Sequence, residues 1–289
     1  MTNPLITARD AFALRHPEAR ITLNGRDWGL IDTAMNDTGK GDRALLLIPG
    51  TLGRADIFWQ QIAALAPRLR VLAVSYPDAG GINEWCADIL ALMDEKGIRQ
   101  AALLGSSLGG YLAQYIAGQA PARVSHLFAA NTLHSVQGLE TRPPYSADLV
   151  NAPIETLRAG FTMAMQAWGQ SHPDQADLVE LLLAEVGGRI PEGEMRARLA
   201  ALKHGPELPA TLLAGAALTT IESTDDPLIP PLMRDAVRAR LPGAAGFRFL
   251  WGGHFPYVLR PQLYTNLIAA RLGLEALSPG WTENEVFEA

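Results

Sequence analysis

Ser107 stands in the run Gly105-Ser106-Ser107-Leu108-Gly109-Gly110, directly after an apolar stretch at 101–104 and directly before a helical pattern. A serine flanked this way sits on a sharp strand-to-helix turn that lifts its hydroxyl clear of a sheet. Side chains two residues to either side would collide there, which is why glycines occupy those positions. A serine nucleophile needs a base and an acid, and both follow it in the order this turn requires. Asp225-Asp226-Pro227 closes one apolar run, and Trp251-Gly252-Gly253-His254-Phe255-Pro256 closes another. His254 would take the Ser107 proton and return it to the leaving group. Asp226 would fix the imidazole tautomer and stabilise the imidazolium. Asp225 is the alternative acid. Asp226 better fits the spacing to a helix-starting proline, which leaves its neighbour to be solvated.

Acyl chemistry also needs donors where the carbonyl oxygen becomes negative. The Leu108 backbone N–H is one candidate. The second belongs to the loop Pro49-Gly50-Thr51-Leu52-Gly53 after the strand at 44–48, where Thr51 is preferred and Leu52 is next. Phe161, Met163, Met165 and Trp168 could line an apolar substrate pocket, although such a stripe also serves ordinary packing. His134, after the strand at 124–130, could face that pocket or the solvent.

These groups lie far apart in the chain, so a rigid frame must converge them. Asn24-Gly25 between apolar runs at 21–23 and 28–31 predicts a tight hairpin, followed by a polar loop at 36–42. Strands at 44–48, 70–75, 101–104 and 124–130 then alternate with helices at 55–65, 82–93 and 109–117. That rhythm predicts an α/β fold: a mostly parallel central sheet with helices on both faces. It stops at 132–208, where three helical patterns form an all-helical insertion, and resumes through a strand at 218–222 and a helix at 261–272. The expected organisation is a core of 1–131 and 209–289 around that insertion of 132–208. Residues 1–19 are read as an arm and 275–289 as a tail, acidic from Ser278.

The blocks Ala55-Asp56-Ile57-Phe58, Trp85-Cys86, residues 105–110 and Gly252-Gly253-His254-Phe255-Pro256-Tyr257 resemble the α/β-hydrolase fold, and within it the maspardin-like branch. The resemblance runs from about Arg20 to Leu272 and is loosest in the middle, and similarity to capped hydrolases implies that the helical insertion of 132–208 is a cap over the active site. The namesake of that branch is regarded as a binding protein and carries Asn where this chain has His254. The histidine therefore implies retained chemistry here, with a protein partner as the rival implication.

The remaining composition narrows the field. With 289 residues, 48 % hydrophobic and 19 % charged, the chain can bury a large core. A net charge of −6 provides no basic stripe for nucleic acid. The uncharged stretch 101–122 is broken by glycines and serines, so membrane insertion is not expected. The residues at 1–10 lack the pattern of a secretion signal, and the lone Cys86 can form no intramolecular disulfide, so a cytoplasmic setting is expected. Cys86 itself reads as a buried structural thiol. No metal-ligand spacing and no cofactor are implied. The function expected is a serine hydrolase acting on an ester, thioester or related small acyl substrate. The alternatives are a maspardin-like binding protein with a vestigial triad, or a C–C bond hydrolase, perhydrolase or cofactor-free oxygenase on the same triad.

Overall fold

A computed structural model describes residues 2–33, 43–282, 284 and 286–289. The loop expected at 36–42 lies outside the described residues. In chain order the elements are α1 (Pro4–Arg15), β1 (Ala19–Leu23), β2 (Arg26–Asp32), β3 (Ala44–Ile48), α2 (Trp59–Leu65), β4 (Arg70–Ser75), α3 (Ile82–Glu95), β5 (Ala101–Ser106), α4 (Leu108–Gln119) and β6 (Val124–Ala130). There follow α5 (Ile154–Ser171), α6 (Ala176–Ala184), α7 (Glu192–Lys203), β7 (Leu218–Ser223), α8 (Pro231–Arg240), β8 (Ala245–Phe249), α9 (Pro256–Leu259), α10 (Pro261–Arg271) and β9 (Phe287–Glu288).

Every residue of β3 and β5 is buried, as strands covered on both faces must be. The sheet order is β1-β2-β4-β3-β5-β6-β7-β8-β9. The β1–β2 hairpin turns at Asn24 and Gly25, both at positive φ, the conformation that a two-residue turn matching strand twist demands. It joins β4 antiparallel, and the remaining pairings are parallel. Ile62 of α2 and Leu267 of α10 pack in one core cluster; Ile89 of α3, Ile116 of α4 and Val237 of α8 pack in another, so helices cover both faces.

The parallel register brings the strand ends together. Ile48 pairs with Gly105, Ser106 with Ala130, and Ser223 with Phe249. The loops after β3, β5, β6, β7 and β8 therefore emerge from one edge, the carboxyl end where open α/β sheets bind ligands. Between β6 and β7 the chain forms α5, α6 and α7. Among the described residues no helix is long and apolar enough to cross a membrane.

Three local expectations change. Residues 1–19, read as an arm, contain α1, capped by the Asn3 side chain on the Ile6 N–H at 3.0 Å and anchored by buried Phe12 and Arg9. The helix expected from 55 begins as a 3₁₀ turn, Ala55–Phe58, and becomes α-helical at Trp59. The segment read as a tail is docked instead. Trp281 packs edge-on against Phe247 and Phe249 at 5.1 and 5.0 Å, and β9 extends the sheet beside β8. Its glutamates suggested a solvated tail, whereas its aromatic residues cover the core at the sheet edge.

Candidate active site

Ser107 joins β5 to α4 with φ 54° and ψ −117°. A non-glycine residue in that region costs on the order of 1–3 kcal/mol and persists only where its surroundings hold it. Here the Ser107 N–H donates to the Ala130 carbonyl at 3.0 Å, and the Ser107 carbonyl accepts from the Tyr111 N–H at 3.0 Å and the Thr132 hydroxyl at 2.7 Å. The glycines are required by contact. A Cβ on Gly105 would lie 2.0 Å from the Gly109 carbonyl oxygen, and one on Gly109 would lie 2.1 Å from the Ile48 carbonyl oxygen. Ser107 is half-buried between residues that are wholly buried, so its hydroxyl is the reachable atom of the turn.

His254 and Asp226 meet at the same sheet edge. His254 Nδ1 lies 2.9 Å from Asp226 Oδ2 and 3.1 Å from Oδ1. The carboxylate also accepts from the Leu228 N–H at 2.8 Å, the Ile229 N–H at 3.1 Å and Asn131 Nδ2 at 2.9 Å. Burial alone would raise the Asp226 pKa. The electrostatic interaction with the His254 imidazole and the hydrogen bonds from His254, Asn131 and Leu228 outweigh it, and the net effect holds the group below the usual carboxylate range. Among the described residues the Ser107 hydroxyl is not hydrogen-bonded to His254, a geometry that commonly tightens only when substrate is bound.

Asp225, expected to be solvated, is engaged. Its two carboxylate oxygens accept from the Gly252 and Gly253 N–H groups at 3.1 and 2.9 Å. Both glycines have positive φ, which lets consecutive N–H groups converge on one carboxylate. The paired aspartates thus divide the work: Asp226 holds the imidazole and Asp225 holds the turn that presents it. Asn131, with φ 41°, ties Asp226 to the end of β6, and sequence reading missed it. The available signal was an Asn directly after a strand, where left-handed backbone is tolerated.

The loop at 49–53 lies against the serine. A Cβ at Gly50 would fall 3.1 Å from Ser107 Cβ and 3.8 Å from its Oγ. Leu108 opens α4 and so has no intrahelical acceptor for its N–H. Thr51 is buried, its carbonyl accepting from Arg198 Nη1 at 2.9 Å.

Met165 and Trp168 line a narrow apolar pocket with Leu178, Leu182, Leu228 and His254. Its volume of about 20 Å³ is close to that of a single water-sized sphere. Trp168 narrows it: the indole N–H donates to Gln175 Oε1 at 2.9 Å, the His172 ring stacks on it at 3.7 Å, and a Cβ on Gly253 would lie 3.4 Å from it. Phe161 packs against the core outside this pocket, and Met163 is 63 % exposed on the outer face of α5. His134 is half-buried with Nδ1 unpaired among the described residues. Burial pushes the Cys86 thiol up to about 11, which makes it a poor nucleophile. Among the described residues no cluster of His, Cys or carboxylates could hold a metal ion.

Residues 43–261 match the family described as alpha/beta hydrolase fold. Maspardin of Danio rerio is 24 % identical over 252 residues, covering 84 % of this chain and 78 % of its own length. A pimeloyl-[acyl-carrier protein] methyl ester esterase of Serratia marcescens is 26 % identical over 243 residues, covering 80 % of this chain and 94 % of its own. Among solved structures, the enol-lactonase of Burkholderia xenovorans superposes with a TM-score of 0.74 at 16 % identity, covering 88 % of this chain and all of the other. At that identity the likeness is one of fold.

Proposed function

The chain belongs to the α/β-hydrolase fold family, and on that premise we propose that it is a serine hydrolase cleaving an ester, thioester or related acyl substrate. The observation that carries this reading is the buried Asp226–His254 pair at 2.9 Å, at the same sheet edge as a serine held at positive φ. In this mechanism Ser107 Oγ attacks the acyl carbon while His254 Nε2 takes its proton. The N–H groups of Leu108 and Thr51 stabilise the tetrahedral oxyanion. Its collapse expels the alcohol or thiol, which receives the proton from His254. Water, deprotonated by His254 in turn, then cleaves the acyl-Ser107 ester and frees the acid. Met165 and Trp168 would contact the substrate; no cofactor is needed, and the lone cysteine fits a cytoplasmic setting.

The test is the intact mass after exposure to a fluorophosphonate. One adduct on the wild type and none on Ser107→Ala is expected; an unreacted, folded wild type would refute the reading. Maspardin relatives together with the tight pocket favour one second reading, a binding protein that captures a protein partner through this face. That reading predicts equal capture of the partner by wild type and Ser107→Ala.

A further inference from the structure

Arg198, on α7, is wholly buried, its guanidinium paired with Glu194 while its Nε has no partner among the described residues. Its Nη1 donates to two carbonyls of the loop after β3, Thr51 at 2.9 Å and Gly53 at 2.8 Å. Its Nη2 donates to Glu194 Oε2 at 3.0 Å, and the guanidinium lies 5.1 Å from the centroid of the Tyr76 ring. The Tyr76 hydroxyl donates to the Pro49 carbonyl at 2.8 Å, and the Gly53 N–H to the Gly50 carbonyl at 3.1 Å. Thus the carbonyls of Pro49, Gly50, Thr51 and Gly53 are all tied back.

In a planar trans peptide the C=O and N–H point opposite ways, so fixing a carbonyl aims the N–H of the next residue. The Arg198 bond to the Thr51 carbonyl therefore aims the Leu52 N–H directly, whereas the Thr51 N–H is aimed by the Gly53 N–H on the Gly50 carbonyl, and Arg198 steadies that bond by holding the Gly53 carbonyl. A cation on the Thr51 carbonyl also polarises the Thr51–Leu52 peptide and makes the Leu52 N–H a stronger donor. The anchor continues outward. Glu194 is held by Arg54 Nη1 at 3.2 Å, Arg54 by Glu18 at 2.6 Å, and Glu18 by the Ser75 hydroxyl, which itself accepts from the Ala55 N–H at 2.8 Å. A buried charge is costly, and a well-packed apolar side chain is often as stable in its place. Packing α7 does not require an arginine; holding two carbonyls of one loop does.

We infer that Arg198, reaching into the site from a helix of the segment between β6 and β7, is a positioning residue for the oxyanion loop, aiming the Leu52 N–H directly and steadying the Thr51 N–H through Gly53. The inference rests on the hydrolase reading above. Its test compares wild type, Arg198→Lys, Arg198→Met and Glu194→Gln on p-nitrophenyl esters, with turnover expressed per fluorophosphonate-titrated site. Inhibition by a phenylboronic acid, which forms a tetrahedral adduct on serine, is measured in parallel. Arg198→Met is expected to lower kcat about 100-fold, near the loss from removing one donor. KM should change less than threefold, and the boronate inhibition constant should rise in step with the fall in kcat. Arg198→Lys and Glu194→Gln should fall between, and they preserve the test if the Met variant does not fold. Wild-type kcat in the folded variants, or a loss confined to KM, would overturn the positioning role while leaving the hydrolase reading intact. A wild type inert to both esters and fluorophosphonate would overturn both.

Discussion

Replacing Asp226 by Asn separates the two adjacent aspartates, because the surroundings dictate how an amide would sit. Asp226 Oδ1 accepts from the Leu228 and Ile229 N–H groups, so the amide oxygen must take that place. The NH₂ then falls where Oδ2 was, 2.9 Å from His254 Nδ1 and 2.9 Å from Asn131 Nδ2. Asn131 can answer by turning its amide, since its Oδ1 has no partner among the described residues. His254 can answer only by giving up its Nδ1 proton, which places the proton on Nε2 and leaves nothing to accept from Ser107. A wrong tautomer of this kind costs about 10⁴ in rate, or about 5 kcal/mol of transition-state stabilisation. The assay is the second-order rate of fluorophosphonate labelling followed by intact mass, which requires no knowledge of the substrate. Asp225→Asn keeps one acceptor oxygen for the Gly252–Gly253 turn and is expected to slow labelling about tenfold or less. Slowing of less than tenfold in Asp226→Asn, with a 10³-fold or greater loss in Asp225→Asn, would refute this assignment.

Two further outcomes are expected. Burial, with a smaller contribution from Arg271, pushes His126 down to about 4, while the unfolded chain titrates near 6.5. Between those values the unfolded state binds the extra proton, so His126 should lower stability by about 3 kcal/mol as the pH drops from 6.5 to 4; urea unfolding across that range should show a steeper loss in the wild type than in His126→Gln, and identical slopes would refute the argument. Trp281→Ala should cost about 3–5 kcal/mol, because the ring is buried against Phe247 and Phe249; an unchanged thermal midpoint would show that the C-terminal segment does not stabilise the fold.

The order Ser107, Asp226, His254 and the strand-helix rhythm around them were legible because each depends on local rules. Glycines are required where a Cβ meets backbone at about 2 Å, apolar runs mark strands buried on both faces, and Asn24-Gly25 marks a turn with two positive φ values. These rules act over a few residues, so the chain itself determined the serine turn, the sheet and the loops that carry polar side chains. The tertiary structure alone decided which side chains meet across those loops. Asp225 and Asp226 are neighbours of identical type, and only the position of the 252–254 turn distinguishes the one that meets His254 from the one that meets the glycine N–H groups. The roles of Asn131 and Arg198 are not written locally, because the groups they hold, Asp226 and the Thr51 carbonyl, lie 95 and 147 residues away. The C-terminal segment was misread for the same reason: its glutamates are visible along the chain, whereas the aromatic surface that captures Trp281 exists only after β8 has joined the sheet.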